Sequence, residues 1–268
     1  MKRKLKAIIW PVIYLVLILN VCFSFTLVFR SYYFKSIFVS GESMQPTLNT
    51  NNTDGQVDYG IIDDHSYVID NLKRFQIVIT YYPFDTSNDY IKPYVPGEKN
   101  TLNTDSCSYK IKRLYALPGE TIRFEVDAIK AQEAMDLAAS QHSMYDDNVQ
   151  KLAAEAIHFY VTGTDGVEFE PKINFNRKIN VNTLVTYNFG PLELGKDEYW
   201  VMGDNYAVSS DCMSKQIRKP IYKENLIGVL IAIEGRCNIE AELPKDAEAV
   251  SGSHYVCKNR KPHFPKFY

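Results

Sequence analysis

The sequence lacks the residue patterns that usually bind metal ions. Its five histidines never fall at ligand spacing from one another, and its five cysteines include no Cys-x-x-Cys pair, so no metal site is predicted. An excess of basic residues is also missing, because 30 Lys and Arg stand against 32 Asp and Glu and leave a formal net charge of -2. A surface that follows nucleic-acid phosphates needs such an excess. Nucleic acid is therefore not expected as a partner.

Charge is absent altogether from one long stretch near the N-terminus. Residues 7–29 are uncharged, and a helix of that length crosses a hydrocarbon core of about 30 Å. We therefore predict a transmembrane helix rather than a cleavable signal peptide, a lipoprotein anchor at Cys22 or a buried core helix. The basic residues before it predict a cytoplasmic N-terminus and a single-pass protein of the cytoplasmic membrane, with the remainder outside. These residues are Lys2, Arg3, Lys4 and Lys6.

The remainder predicts a mainly β, antiparallel domain. Short runs rich in β-branched and aromatic residues, bounded by Pro and Gly, lie at residues 75–82, 109–117, 158–161, 184–187 and 198–202. Residues 128–157 differ, because their Ala, Gln, Glu, Met and Leu favour two short inserted helices. We interpret this insertion as a surface elaboration rather than a substrate or partner contact. The predicted units are a basic tail (1–6), the membrane helix (7–29), a β-rich extracytoplasmic domain (30–233) and a tail of unassigned structure (234–268).

Ser43 stands in the stretch FVSGESMQPTL, shortly after the apolar segment. A lone loop serine carries no information. Here, however, Gly41 allows an unusual backbone dihedral and Pro46 ends any helix or central strand, so the hydroxyl is presented on a rigid turn. A serine nucleophile needs a base. Because no histidine lies in a comparable setting, the sequence disfavours a Ser-His-Asp arrangement and favours lysine as the base.

Lys112 lies in the run YKIKRLYAL, where it shares a strand face with Lys110, Leu114 and Ala116. If that face is buried, desolvation depresses the lysine pKa. A lysine of ordinary pKa, about 10.4, is neutral in only about one molecule in a few thousand at pH 7, so a working base needs a depression of about three units. From periodicity alone, a surface lysine paired with an acid remains the alternative interpretation.

Three motifs occur in a fixed order behind the apolar segment: SGESMQPTL, YKIKRLYALPGE and FGPLELGKDEYWVMGDNYAVSSD. Together they resemble the bacterial type I signal peptidases, which are serine proteases with a Ser/Lys dyad. The resemblance implies a β-rich catalytic domain and no cofactor. It also implies that Ser43 is the nucleophile, that its amide contributes to the oxyanion hole, and that Lys112 is the general base.

The same resemblance implies roles for the residues around the dyad. Ser209 is expected to orient the lysine and Asp211 to brace the site, and both follow the turn formed by Gly203, Asp204 and Asn205. The implied substrates are preproteins with small residues at positions -1 and -3 of the cleavage site. Shallow pockets for those residues are expected near the dyad, although ordinary core packing is the alternative for each pocket residue. The predicted pocket residues are Val39, Met44, Leu48 and Ile111.

The sequence also departs from the family pattern. Gly41 stands where some members supply a second hydroxyl to the oxyanion hole, and Phe75 with Gln76 replaces a usual Gly-Asp pair. The arginine expected to pair with Asp211 is missing, and Lys215 or Arg218 is the candidate replacement. A buried Asp211 without a partner would be costly or would take up a proton.

Four cysteines lie outside the apolar segment. Cys107 and Cys212 flank the predicted base and the predicted brace in sequence, and Cys237 and Cys257 lie in the C-terminal tail. We predict a disulfide within each pair.

The predicted function is a membrane-anchored serine endopeptidase that removes signal peptides from exported preproteins at the membrane lipid surface. An alternative is a non-catalytic or specialised relative that binds signal-peptide segments or assists surface-protein assembly. A cytoplasmic self-cleaving repressor with the same dyad is disfavoured by the apolar segment.

Overall fold

The computed structural model describes residues 2–49, 55–81, 109–172, 179–206, 208–214, 218–242 and 254–268. Its helices are α1 (Lys2–Tyr33), α2 (Ser66–Asp70), α3 (Ala128–Gln141) and α4 (Asp147–Glu155), with short 3-10 helices at Val181–Tyr187 and Lys223–Asn225. Its strands are β1 (Lys35–Phe38), β2 (Gln56–Asp63), β3 (Ile77–Tyr81), β4 (Tyr109–Ala116), β5 (Thr121–Val126), β6 (Ile157–Thr162), β7 (Glu168–Phe169), β8 (Phe189–Glu193), β9 (Glu198–Met202), β10 (Ile221–Tyr222), β11 (Leu226–Glu242) and β12 (His254–Phe267).

Two antiparallel sheets form the domain. The larger sheet has the order β1-β2-β11-β3-β4-β9-β10, with β12 also paired to β11. The smaller sheet has the order β7-β6-β5-β8. Each strand pairing within the described residues is antiparallel. The predicted fold class, a mainly β antiparallel domain, is confirmed.

The apolar N-terminal segment forms one long helix. Within α1, the span Ile9–Arg30 has 22 residues and is long and apolar enough to cross a membrane. None of that span is buried against the described protein. At its C-terminal end Arg30 forms an ion pair with Glu234 of β11, and the Tyr33 ring lies 5.4 Å from the His65 ring. The helix therefore enters the domain directly at the larger sheet.

The main core lies between the two sheets. Trp200 of β9 is fully buried there, and Phe124 of β5 stacks on Phe159 of β6 with ring centroids 4.4 Å apart. The inserted helices α3 and α4 cover this core, and Asp127 and Asp146 cap their N-termini by accepting backbone N–H bonds. The predicted pair of helices within residues 128–157 is confirmed.

Two regions differ from the sequence-based expectation. Residues 184–187 were predicted as a strand, and that prediction is wrong. They belong to a 3-10 helix because Asn180 caps the first turn through Asn182 N, while Val181 and Leu184 are buried at a spacing of three residues. In the C-terminal tail, β11 continues to Glu242 and pairs with β12, so residues 234–268 extend the larger sheet.

Candidate active site

Ser43 lies in a loop of residues 39–49 that follows β1, here called the Ser43 loop. Asn49 joins the two ends of this loop. Its Nδ2 donates to the carbonyls of Val39 (2.6 Å) and Gly41 (3.0 Å), and its Oδ1 accepts from Asp58 N at 2.7 Å. Asn49 is fully buried, so these bonds are shielded from water and strengthened by the low local dielectric. They hold the half-buried Ser43 in a fixed frame.

The predicted pocket residues form the apolar floor of this loop. Val39, Met44 and Leu48 are buried in one cluster, and the partly buried Ile111 packs against it. The cluster is completed by residues of β2, β3 and β11, which are Ile62, Ile77, Ile79, Leu230 and Ile233. The structure thus brings the four residues together beside Ser43. Their role in substrate selection stays a prediction.

Lys112 reaches Ser43 from the neighbouring strand β4. Its Nζ donates a hydrogen bond of 2.8 Å to Ser43 Oγ. The side chain is only 2% exposed, and Leu114 and Ala116 on the same face of β4 are fully buried. Sequence periodicity did not decide which face of β4 is buried. The structure shows that the face carrying Lys112 is buried.

The environment of Lys112 favours its neutral form. Burial lowers the pKa of this lysine to about 8, because the charged ammonium loses its hydration. The nearby Asp211 carboxylate opposes the shift, and repulsion from Lys110 adds to it. At pH 7 a much larger fraction of Lys112 is neutral than for a lysine in water. A neutral amine beside a serine hydroxyl is able to accept its proton.

The turn at Gly203, Asp204 and Asn205 supports the Ser43 loop from the other side. Asn205 N donates to Ser43 O at 2.9 Å, and Asn205 Nδ2 donates to Glu42 O at 3.1 Å. A Cβ on Gly203 would lie 2.3 Å from Ser43 O, so only glycine allows this approach. The predicted turn residues therefore contact the loop through backbone groups of Gly203 and Asn205 and through the Asn205 side chain.

Arg113, next to Lys112 on β4, locks this turn in place. Its guanidinium binds Asp204 through two bonds, Nε to Oδ1 (2.7 Å) and Nη2 to Oδ2 (2.6 Å). The Thr47 hydroxyl of the Ser43 loop also donates to Asp204. A third bond runs from Arg113 Nη1 to Phe75 O at 2.7 Å. The Arg113–Asp204 pair thus connects β4, the turn after β9 and the Ser43 loop.

Asp211 is buried and is held by backbone amides. Its Oδ2 accepts from Gly203 N at 2.9 Å and its Oδ1 from Met213 N at 3.0 Å. Burial raises the pKa of Asp211, and attraction to Lys112 together with these bonds offsets part of the rise. Asp211 thus lies close enough to Lys112 for the two charges to attract each other. Its bracing role stays a prediction.

Arg218, one of the two candidate replacements for the missing arginine, does not pair with Asp211. Arg218 donates instead to the carbonyls of Thr186 and Asn188, and its guanidinium lies 5.5 Å from the Phe189 ring centroid. The suggested pairing of Arg218 with Asp211 is therefore wrong. Lys215, the other candidate, lies outside the described residues.

Ser209 lies near Asp211 and Gly203, but no hydrogen bond joins it to Lys112 in the described structure. Among the described residues, its buried Oγ has no hydrogen-bond partner of acceptable geometry. The oxygen nevertheless lies close enough to Asp211 to help lower the pKa of that carboxyl. Its predicted role in orienting Lys112 stays a prediction. Gly41, at the position of the absent second hydroxyl, has a φ of 89°, and a Cβ there would meet nothing within 4 Å.

One of the two predicted disulfides is formed. Cys237 of β11 is bonded to Cys257 of β12, which confirms the pairing in the tail. Cys212 is a buried free thiol, so the predicted Cys107 to Cys212 bond is wrong for this structure, and Cys107 itself lies outside the described residues. Burial raises the pKa of the Cys212 thiol, which keeps it protonated and unreactive.

Several polar residues of the site were not identified from the sequence, among them Thr47 and Arg113, which bind Asp204. Asn49 ties the ends of the Ser43 loop, as described above. Ser214 accepts from Asp211 N at 2.8 Å and closes the loop that carries Ser209 and Asp211. The sequence signal for Ser214 is the spacing Asp-x-x-Ser, which is typical of side chains that bond neighbouring backbone groups.

Comparison with known proteins identifies a family for this chain. The family described as signal peptidase, peptidase S26, matches residues 9–233. Signal peptidase I P of Bacillus subtilis subsp. natto is 24% identical over 190 residues, which are 69% of this chain and 69% of that protein. Signal peptidase I T of Bacillus subtilis (strain 168) is 26% identical over 187 residues, covering 69% of this chain and 66% of that protein.

The family match therefore runs from the apolar helix through the Ser43 loop, β4 and the Gly203 turn to the middle of β11. These are the elements that bring Lys112 to Ser43. Because the match covers most of the sequence, this chain belongs to the signal peptidase family, peptidase S26.

Proposed function

We propose that this protein is a membrane-anchored serine endopeptidase that removes N-terminal signal peptides from exported preproteins. The observation that carries the proposal is the 2.8 Å hydrogen bond from the buried Lys112 Nζ to Ser43 Oγ. The lysine pKa of about 8 supports a base that is partly neutral near physiological pH. In this family setting, a hydroxyl paired with such an amine is suited to nucleophilic attack on a peptide carbonyl.

The reaction proceeds in two stages. Neutral Lys112 accepts the Ser43 proton as Oγ bonds to the scissile carbonyl carbon, and the resulting ammonium then gives that proton to the leaving amine. Cleavage of the C–N bond leaves an acyl ester on Ser43. A water molecule, deprotonated by the same lysine, attacks the ester and restores the Ser43 hydroxyl. The Ser43 amide is the proposed oxyanion donor, where one donor is worth about 3 kcal/mol.

An extended substrate fits the edges of the larger sheet. β1 is the last strand on its side of the sheet, and β9 pairs with β4 only from Arg113 onward. Within the described residues, both edges next to the dyad are therefore open for main-chain hydrogen bonds to a peptide. The apolar floor of Val39, Met44 and Leu48, with Ile111 beside it, favours small side chains at the positions nearest the cleaved bond.

The membrane helix serves this function by confining enzyme and substrate to one surface. A signal peptide is itself a membrane-held helix, so anchoring both partners raises their effective concentration. We place the N-terminus in the cytoplasm and the β-rich domain on the outer face, because basic residues crowd positions 2–6. Protease added to intact spheroplasts is expected to digest the β-rich domain, because the domain is then accessible from outside without lysis.

The test is cleavage of a preprotein with an Ala-x-Ala site by the detergent-solubilised full chain. Wild type and the surface control Ser140→Ala are expected to cut after the second alanine, and Ser43→Ala and Lys112→Met to lose at least about 1,000-fold in kcat. Replacing the -1 alanine of the substrate by tryptophan is expected to abolish cleavage. Binding of the preprotein without cleavage by wild type would favour the non-catalytic alternative.

A further inference from the structure

The C-terminal strand reaches the candidate active site although it lies beyond the family match. The match ends at residue 233, whereas β12 spans His254–Phe267. β12 pairs with β11 from Glu242↔His254 to Ala232↔Phe267. The Cys237–Cys257 disulfide joins the two strands near the start of β12. Tyr268 then follows the last paired residue. The tail is thus a structured arm that runs back along β11 toward the site.

Tyr268 makes the contact at the end of this arm. Its backbone N donates to Ile231 O at 3.1 Å, which continues the strand pairing. Its phenolic hydroxyl donates to Thr47 O of the Ser43 loop at 3.2 Å. The Tyr268 side chain is 38% exposed, less than Phe267 (69%) and Phe264 (90%) of β12, as its contact with the Ser43 loop requires.

The contacted residue belongs to the group that holds the dyad. Thr47 lies four residues after Ser43, and its hydroxyl donates to Asp204. Asp204 in turn binds Arg113, the neighbour of Lys112. Tyr268 lies close enough to Arg113 to contribute to the raised pKa of that guanidinium. One tail residue thus touches the loop of the proposed nucleophile and lies near the strand of the proposed base.

We infer that Tyr268 is a positioning residue for the proposed peptidase reaction, and that β12 serves to hold it against Thr47. The inference rests on the proposed function. The rate of attack depends steeply on the distance between the reacting atoms, so a bond that restrains the Ser43 loop affects the chemical step more than substrate binding. Tyr268 does not touch the reacting atoms itself.

The first test is Tyr268→Phe, which removes the hydroxyl and leaves the ring. We expect kcat to fall about fivefold with KM and Tm unchanged, as for the loss of one neutral hydrogen bond. The matched control is Tyr67→Phe on α2, which removes a hydroxyl bond to Asp63 of β2 away from the site, and it is expected to leave kcat unchanged. An unchanged or increased kcat in Tyr268→Phe, or an equal fall in Tyr67→Phe, overturns the inference.

The second test asks whether the arm transmits the effect. Reduction of Cys237–Cys257 is expected to lower kcat of the wild type and to have no further effect in Tyr268→Phe, since both changes act through one contact. Additive losses in the double perturbation would show that β12 does not act through Tyr268.

Amide hydrogen exchange gives a readout that does not require activity. In Tyr268→Phe, exchange of residues 43–48 is expected to accelerate while exchange in α3 stays unchanged. If the wild type cleaves no preprotein but this acceleration is seen, the proposed function fails and the positioning of the loop stands. If the wild type cleaves and exchange is unaltered, only the positioning inference fails.

Discussion

Gly203 lies against the Ser43 carbonyl so closely that a Cβ at this position would stand 2.3 Å from that oxygen and 2.4 Å from Ser209 Oγ. Gly203→Ala must therefore push the turn away from the Ser43 loop. Because a displacement of about 1 Å is able to cost about 100-fold in rate, we expect kcat/KM on a preprotein to fall by at least about that factor. Gly195→Ala is the control, since its Cβ meets only the flexible Glu198 side chain. Wild-type activity in Gly203→Ala would contradict this contact.

Replacing Lys112 is expected to stabilise the protein while abolishing its activity. The lysine pKa falls from 10.5 in the unfolded chain to about 8 when folded. Between these values the unfolded chain binds a proton that the folded protein releases, so stability rises with pH across that window and is reduced below it. At about 1.4 kcal/mol per pH unit, this difference in pKa costs about 3 kcal/mol of stability at pH 7, a net figure that already includes the attraction to Asp211.

Lys112→Met is therefore expected to raise Tm at pH 7. The gain should be smaller near pH 10, because burial of the lysine costs the wild type less stability there. Lys130→Met, which removes a surface lysine of α3 weakly paired with Glu155, is expected to leave Tm unchanged. Thermal unfolding in detergent measures both variants. A lower Tm for Lys112→Met at pH 7 would mean that the lysine stabilises the fold.

Removing the charge of Asp211 is expected to shift the pH dependence of the reaction. The Asp211 carboxylate raises the pKa of Lys112 against the effect of burial. In Asp211→Asn the lysine therefore loses its proton more easily, and the acid limb of kcat/KM should move to lower pH. The control Asp136→Asn changes an exposed residue of α3 and should leave the limb in place. A limb that moves to higher pH would contradict the electrostatic coupling.

The Arg113–Asp204 pair is expected to be a major contributor to stability at the site. Arg113→Ala leaves a carboxylate that is 5% exposed without its two guanidinium bonds, at an expected cost of about 3 kcal/mol. Arg113→Lys should recover only part, because an ammonium lacks the bidentate geometry. Arg123→Ala, which breaks a more exposed pair with Glu168, should cost about 1 kcal/mol or less. Equal losses at the two positions would refute this difference.

The central residues of the site were predictable because they lie in local motifs. Ser43 is marked by its glycine and proline neighbours, and Lys112 by its strand and following turn. Whether Lys112 is buried was not predictable from its own strand. Its face is decided by the neighbouring strands β3 and β9, which pair with β4 from distant parts of the sequence.

The residues that were missed or misassigned depend on long-range contacts. Asn49 forms hydrogen bonds with Asp58 and with the first residues of the Ser43 loop. Arg218 donates to the carbonyls of residues 186 and 188 and not to Asp211. Phe75 adopts a backbone conformation that is unusual for its residue type. It has a φ of 71°, in the left-handed region that favours glycine, which agrees with the glycine expected at this position from the family resemblance. Its carbonyl accepts a hydrogen bond from Arg113 Nη1, which helps to hold this backbone conformation.

The most direct test of the account is the pH profile of kcat/KM for preprotein cleavage by the wild-type full chain. If neutral Lys112 is the base for Ser43, kcat/KM should rise about tenfold per pH unit at low pH and level off above the lysine pKa of about 8. A profile that is flat between about pH 6 and 9, or a limb near the ordinary lysine value of about 10.4, would contradict a buried lysine base.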